Sequence, residues 1–469
     1  MRVLMRDWGM VLALAVATTG ALARPAVAQR VVFQADGALN VGYNQTTRPV
    51  FTGDPNAEQR DIRDSSIAGL FTEISPGISL QTGSPRVSWR VGYRFAANLR
   101  LADTSSTSTM GTATPSDAPP MEGAAAADSD RQSFGYSNSA DVALAAQLSP
   151  FTTMTLTATF AQGGTAFLQS QKRAELGTPE VRAPGNPSLL SASLSESLAW
   201  EVGRQWNLVQ SLRGNGSAQQ DDFSKHSSSV NGSLALEHVW VRDTAGLELR
   251  SGVDWLRPIA ENARPYKAYQ NALLARWSRD LTWRWNAAAS AGVEQVYTDT
   301  GSEPLAFLPA GSANVNYTIG NVVAALAFTH GTDTNLQVGT ISLADQLTAR
   351  GVITIDPEKL RVLSFSGGLL HNEPLGEVSS VVTTGEGNVF QGDVGFSTAI
   401  TNGVVATARY SIAYQFDQPG EIGATLAHVI LVGVTATYNN LEPDRRRMPG
   451  RGLRVDQGDA EGFPVVEPQ

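Results

Sequence analysis

Between Val87 and Leu99 the chain alternates large apolar side chains with polar or small ones. The odd positions are Val87, Trp89, Val91, Tyr93, Phe95, Ala97 and Leu99, and the even positions are Ser88, Arg90, Gly92, Arg94, Ala96 and Asn98. Successive side chains of a β-strand point to opposite faces, so one face of this segment is hydrocarbon and the other carries arginine. Ordinary strands have about 5–6 residues. Strands of about 9–11 residues, apolar outside and polar inside, are typical of membrane-spanning barrels. The segment therefore predicts such a strand.

The same alternation recurs to the end of the chain, in segments 151–160, 204–213, 283–294 and 404–417. A few residues break the rule. Val209 and Gln210 run against the alternation of their own segment, and Glu196 and Asp345 fall on the apolar face. Since a charge near the middle of a bilayer is costly, we expect a β-bulge or a position close to the membrane rim at each charged residue.

The N-terminus has the pattern of a secretory signal peptide. Arg2 and Arg6 precede an apolar run over 10–17, and the small residues at 26–28 suit cleavage before Gln29. We therefore assign 1–28 as a signal peptide, 29–438 as the barrel and 439–469 as a disordered periplasmic tail. The stretch 102–131 is rich in Ser, Thr, Ala and Pro, which predicts a disordered extracellular loop.

Turn signals divide the barrel region into strands. Short breaks rich in Gly, Pro, Asn and Asp occur near 82–85, 149–150, 203–204, 243–244, 279–280, 319–320, 356–357 and 402–403. Longer polar stretches lie near 45–66, 102–131, 163–187, 215–228, 256–265, 298–304, 331–337, 371–386 and 417–421. Eight short and nine long connections predict 18 antiparallel strands, with 16 as the second choice. Short periplasmic turns and long extracellular loops are the asymmetry of outer-membrane barrels.

Composition excludes several classes of protein. The chain has no Cys, so it can form neither disulfides nor thiolate metal sites. Its net charge of -9 argues against a nucleic-acid partner. No segment after the signal peptide approaches 18 consecutive apolar residues, which excludes helical membrane spans.

The alternation also predicts which charges face the lumen. The basic candidates for pore-lining residues are Arg90, Arg94, Arg213, Arg250, Arg276, Arg284, Arg350 and Arg409. The acidic candidates are Asp36, Glu73, Asp141, Glu201, Glu237, Glu248, Asp254, Glu294 and Asp393. Eight against nine leaves almost no net charge. Glu73 and Asp141 flank the strand of Arg90 and Arg94, which predicts cross-strand ion pairs. The charges either create a transverse field that orients polar solutes or only satisfy one another along a wet wall.

Catalysis finds little support in the sequence. The five His include no pair at metal-binding helical spacing, and no nucleophile elbow or phosphate-binding loop is present. We predict a protein that is not an enzyme, with no catalytic residues, no metal and no cofactor.

The last predicted strand adds a family resemblance. Ile430, Val432, Val434, Ala436 and Tyr438 alternate and end in an aromatic residue. With the signal peptide and the asymmetry of the connections, this resembles the porin-like outer-membrane β-barrels of Gram-negative bacteria. The resemblance implies that Tyr438 acts as an assembly signal for the barrel-assembly machinery, although the tail that follows it departs from the family pattern. A count of 18 strands is similar to substrate-selective porins and to barrels that export polysaccharide.

Three functions stay open. The first is a water-filled outer-membrane pore for polar solutes. The second is an exit channel for a secreted polysaccharide that works with periplasmic export components. The third is a non-conducting structural or adhesive barrel. The expected partners are outer-membrane lipid, the assembly machinery and a polar solute or glycan.

Overall fold

A computed structural model describes residues 31–52, 61–84, 86–107, 134–164, 188–219, 226–257, 264–299, 307–336, 340–375, 387–415 and 425–439. The strands are β1 (Val31–Thr52), β2 (Asp61–Gly83), β3 (Val87–Thr107), β4 (Phe134–Ser149), β5 (Thr152–Gly164), β6 (Ser188–Gly203), β7 (Trp206–Gln219), β8 (His226–Val239), β9 (Asp243–Leu256), β10 (Tyr266–Asp280), β11 (Trp285–Thr298), β12 (Phe307–Ile319), β13 (Val322–Asn335), β14 (Thr340–Asp356), β15 (Arg361–Pro374), β16 (Gly387–Thr401), β17 (Val404–Gln415) and β18 (Thr425–Asn439).

The strands form one closed antiparallel barrel. Each strand pairs with its neighbours in sequence, and β18 pairs with β1 from Gln34–Asn439 to Thr47–Leu426. The predicted fold class and the count of 18 strands are therefore confirmed. The described part of the chain contains no helix that is long and apolar enough to cross a membrane.

Tight connections join the strands at one end of the barrel, here called the turn end. They lie at or within a few residues of the eight predicted short turns. Four of these connections have only two residues, and in the one between β12 and β13 Gly320 has a φ of 52°. A residue with a side chain rarely adopts this conformation, which is why glycine suits the position.

At the opposite end, here called the open end, the strands run further than the sequence predicted. β1 and β2 have 22 and 23 residues and extend into the predicted loop 45–66. Likewise 102–107, assigned to a disordered loop, belongs to β3. The signal peptide 1–28, the rest of that loop and the tail beyond Asn439 lie outside the described residues.

The two faces of the barrel differ in chemistry. Asp254 on β9 and Gln270 on β10 bond Thr334 on β13, and such distant strands can meet only across the concave side. The alternate residues therefore point outward. They include many exposed large apolar side chains, for example Val91, Leu247 and Val432.

Tryptophans mark the turn end of the outer surface. They are Trp89, Trp200, Trp206, Trp240, Trp277, Trp283 and Trp285. Only Trp255, among the described tryptophans, lies near the open end. Membrane proteins place such aromatic belts at the membrane–water interface.

The two misplaced carboxylates have different explanations. Asp345 lies near the open end, where one of its carboxylate oxygens is 2.6 Å from Nδ1 of His330, so it occupies a rim position. Glu196 lies in the middle of β6, opposite Leu156 and Leu212, with no register shift beside it. The same register points Gln210 outward and Val209 inward, as the irregular sequence pattern indicated.

Candidate functional site

The lumen is the candidate site, because its wall collects the charged side chains of the barrel. The strand registers place all the predicted pore-lining residues on the inner face, with one exception. Arg284 lies in the turn between β10 and β11, where its guanidinium stacks over the Trp283 ring at 4.1 Å. The prediction for Arg284 was wrong because β11 begins at Trp285, two residues later than the alternation indicated.

Arg94 on β3 forms an ion pair across a neighbouring strand. Its Nη2 lies 2.5 Å from Oδ2 of Asp36 on β1, although β2 runs between them. Gly77 of β2 leaves room for this contact, since a Cβ there would meet the Asp36 carboxylate at 2.8 Å. The sequence predicted cross-strand ion pairs for this strand, and Arg94 makes its pair with Asp36, two strands away.

Arg90 makes a cross-strand ion pair of the kind that the sequence predicted. Its Nε lies 4.0 Å from Oδ2 of Asp141 on β4. Here again an inward glycine, Gly92, clears the path, because a Cβ would meet the Asp141 carboxylate at less than van der Waals distance. Inward glycines thus let short acidic side chains lean along the wall.

A denser network lies on β8–β10. Arg276 joins two carboxylates, with Nη1 at 3.1 Å from Glu237 and Nε at 3.6 Å from Glu248. Arg250 binds both oxygens of Glu248, at 2.9 and 3.2 Å. Glu248 is buried, so this two-pronged contact compensates for the water that the carboxylate has lost. Together with Asp254 and Glu294, these residues form what we call the charged wall.

Two further arginines face the lumen on the far side. Arg409 donates to Oδ1 of Asp393 from Nε at 3.1 Å and from Nη2 at 2.8 Å, and Ser411 also donates to this carboxylate. Arg350 is exposed and has no ionic partner within the described residues. The inner face of the barrel as a whole therefore holds mostly paired charges and, among the described residues, at least one unpaired guanidinium.

The inner faces of β5 and β6 have another character. They carry hydroxyl groups in two rows, here called the hydroxyl wall: Thr153, Thr155, Thr157, Thr159, Ser191, Ser193, Ser195 and Ser197. One opposed pair, Thr159 and Ser193, is hydrogen-bonded at 2.7 Å. Short hydroxyl side chains reach only a little way into the lumen and hydrate well.

The open ends of β13 and β14 bend into the barrel. These two segments, residues 331–336 and 340–344, are together called the inward hairpin below. Thr332 donates to Glu294 from both its hydroxyl and its backbone N–H, the latter at 3.2 Å. The Thr334 hydroxyl donates to Oδ2 of Asp254 at 2.7 Å. Two neutral hydroxyl groups thus anchor the hairpin to Glu294 and Asp254, the two carboxylates of the charged wall that lie nearest the open end.

The hairpin also covers an apolar patch on the same wall. Ile341 packs against Leu256, Ala268 and Val296, all of which are buried. These three lie at inward positions of β9–β11, where water would otherwise reach them. Burial of such side chains contributes about 1.5–3 kcal/mol for each large one, which favours the docked hairpin.

The bend begins where two strands separate. The ladder between β12 and β13 ends at Gly311 and His330, whereas β13 and β14 stay paired to Asn335 and Thr340. Pro309 comes just before this point in β12 and cannot donate a ladder hydrogen bond. Gly331 begins the inward hairpin on β13. It lies next to Glu294, because a Cβ added at Gly331 would be 3.4 Å from the Glu294 carboxylate.

Sequence reasoning missed the inward hairpin, because it assigned 331–337 to a loop. Two signals in the sequence point to it. Leu256 and Val296 are apolar at inward positions, which breaks the rule that the inner face is polar. Ile341 adds a further apolar side chain at the hairpin's own end of β14. Apolar residues on both sides of a predicted water-filled space indicate a contact between them.

The remaining predicted residues are placed as follows. Tyr438 lies on the outer face at the turn end of β18, opposite Ala35 of β1, and is exposed. Its role as an assembly signal stays a prediction. No group of three or more His, Asp or Glu suited to a metal ion occurs among the described residues.

Comparison with known proteins gives structural likenesses only. No protein-family model matches the chain, and no curated protein matches it by sequence. Pseudomonas aeruginosa OccK9 (OpdG) is 12% identical, with a TM-score of 0.39 over 87% of this chain and 98% of that one. OccK2 (OpdF) of the same organism, in complex with glucuronate, is 12% identical, with a TM-score of 0.38 over 86% and 98%. OpdK with vanillate is 10% identical, with a TM-score of 0.36 over 86% and 99%.

Proposed function

We propose that this chain is a Gram-negative outer-membrane β-barrel whose lumen is a water-filled pore for small polar solutes. The observation that carries the proposal is the division of chemistry between the two faces of one closed sheet. The outer face is apolar and belted by tryptophan, and the inner face carries hydroxyl groups and ion pairs. A barrel of this strand number is wide enough to hold an aqueous channel instead of a core filled by side chains.

The inward hairpin supports a selective pore over a wide open one. It narrows the bore beside the charged wall and brings Asp333, an exposed residue between its two anchoring threonines, into the lumen. A solute that enters from the open end passes this acidic side first, while Arg350, Arg409 and Arg94 lie further toward the turn end. A negative potential near the open end, followed by a positive potential nearer the turn end, orients solutes that carry charge or strong dipoles.

Conductance tests the proposal directly. The purified barrel, reconstituted into planar lipid bilayers, is expected to give steady single-channel currents. A channel that stays closed until a glycan or a periplasmic partner is added would replace the pore by the export channel. If barrels that are shown to be inserted give no current under any of these conditions, the structural or adhesive barrel is favoured.

Substitutions on the two faces of β3 test the membrane orientation. Changing Arg90 and Arg94 to Glu is expected to shift ion selectivity toward cations with normal assembly, since both side chains face water. Changing Val91 or Phe95 to Arg places a charge in lipid, which costs about 2–4 kcal/mol near the midplane and impairs insertion. Insertion is measured by the heat-dependent gel shift of folded barrels. Equal behaviour of the two sets would overturn the orientation.

A further inference from the structure

Glu196 is out of place on the outer surface. Among the described strands, it is the only outward charged side chain more than six residues from both ends of its strand. It lies seven residues from the turn end of β6, or about 18 Å along the barrel axis for a tilted strand. The apolar band of a membrane barrel is about 25 Å tall, so this carboxylate lies well inside it and away from lipid headgroups.

A second polar side chain, Gln210 of β7, accompanies it. Gln210 faces outward between Leu198 and Leu234 and is exposed. Neither Gln210 nor Glu196 makes a side-chain hydrogen bond or ion pair within the described residues. Some other polar side chains on the outer face do find partners in the same chain, as Ser251 does with Asn271 at 2.8 Å. The two side chains are therefore a donor and an acceptor without partners.

Their relative position suits a two-fold axis along the membrane normal. Glu196 pairs with Leu212 in the register, so Gln210 is its diagonal neighbour, about 7–8 Å away. Going from Glu196 on β6 to Leu212 on β7, perpendicular to the strands, moves toward the open end of the barrel. Going from Leu212 back to Gln210 along β7 moves toward the turn end again. For a strand tilt of about 40° the two side chains differ in height by only about 2 Å. Rotation by 180° thus places the carboxylate of one copy against the amide of the other, twice.

The surroundings allow a second barrel to approach. Outward glycines at 214, 216 and 232 put no side chain on this face, although a Cβ at any of them would meet only ordinary van der Waals contacts, at 3.7 Å or more. Leu198 and Leu212 lie between the two polar side chains, on the expected axis. Small residues with a few polar hydrogen bonds are the usual means of association inside a membrane.

We infer that the outer face of β6–β8 binds a second copy of this chain in a two-fold dimer, held by reciprocal Glu196–Gln210 hydrogen bonds. The same patch meets itself in such an interface, as closed two-fold symmetry requires. The inference rests on the membrane location given under the proposed function. A lipid or a different membrane protein on this face is an alternative occupant that the experiment below distinguishes.

The first test is the mass of the full-length protein in nanodiscs, measured by light scattering or native mass spectrometry. The wild type is expected to be a dimer, and Q210L is expected to halve the mass. The double variant E196Q/Q210E exchanges the two groups, so it is expected to restore the dimer. A monomeric wild type, or a Q210L variant that stays dimeric, would overturn the inference.

Cysteine crosslinking tests the axis, and the Cys-free chain gives a clean background. L198C and L212C are each expected to form a disulfide-linked dimer in the membrane. V432C, on the outer face of β18, is the matched control and is expected to stay monomeric. Crosslinking at V432C but at neither leucine would overturn this interface. Since each barrel has its own lumen, conductance per barrel of Q210L checks the pore proposal independently of this result.

Discussion

The charged wall and the hydroxyl wall line the same lumen in different ways. On β8–β11, carboxylates and guanidinium groups bind one another side by side, and two carboxylates hold the inward hairpin. On β5 and β6 the inner face carries short hydroxyl groups, one pair of which bonds across the strands, and no described segment folds over them. Charge therefore does two things on one side of the bore: it sets the local field, and it anchors the segment that narrows the passage.

The largest difference between the walls is expected when the hairpin is removed. Gly331 and Ala344 are opposite each other in the ladder, so a two-residue Asn-Gly turn can join them in place of 332–343. Conductance is expected to rise about twofold or more, because the constriction is gone. Planar-bilayer recording measures this, and the gel shift controls for folding. Unchanged conductance in a folded barrel would show that the narrowest point lies elsewhere.

A smaller effect is expected from one charge on the charged wall. In Arg276→Gln, Glu237 loses its ion-pair partner and Glu248 keeps only Arg250. The permeability ratio of cations to anions is expected to rise about twofold, read from reversal potentials in a salt gradient. Arg90→Gln removes the same charge where the ion pair is longer, and is expected to shift the ratio less. The opposite order would place the selective region at β3.

The hairpin anchors can also be loosened one at a time. Thr334→Val keeps the shape of the side chain but leaves Asp254 without one donor, at a cost of about 1.5–3 kcal/mol for a hydrogen bond to a charged group. Faster hydrogen exchange in 331–344 and more frequent current fluctuations are expected. Thr332→Val is the companion variant at Glu294. If neither variant changes exchange in the hairpin, the apolar contact of Ile341 holds it alone.

The smallest effect is expected on the hydroxyl wall. Thr155→Val leaves the side-chain volume nearly unchanged on a wide, wet surface, so stability is expected to change by less than about 0.5 kcal/mol. Conductance and thermal unfolding are expected to match the wild type. A change as large as that of Thr334→Val would show that β5 contacts a narrow part of the bore and would remove the contrast between the walls.

The sequence predicted the barrel more completely than its interior. Alternation and turn signals were enough for the strand number, the turn end and the inner or outer direction of nearly every charged residue. The prediction for Arg284 failed because the turn between β10 and β11 has four residues and β11 starts after Arg284. The bridge from Arg94 to Asp36 could not be read from the sequence, because pairing rules for adjacent strands do not include a contact that passes over an inward glycine such as Gly77.

The sequence by itself determined a two-residue rhythm, and that rhythm decides which side chains face out and which face in. Each strand carries this information locally, since alternation needs only neighbours in the chain. Only the tertiary structure decided that the β12–β13 ladder ends at Gly311 and His330. It also decided which carboxylates accept hydrogen bonds from Thr332 and Thr334. Those contacts join residues up to 80 positions apart, and they exist only after the sheet has closed and fixed the distance across its own lumen.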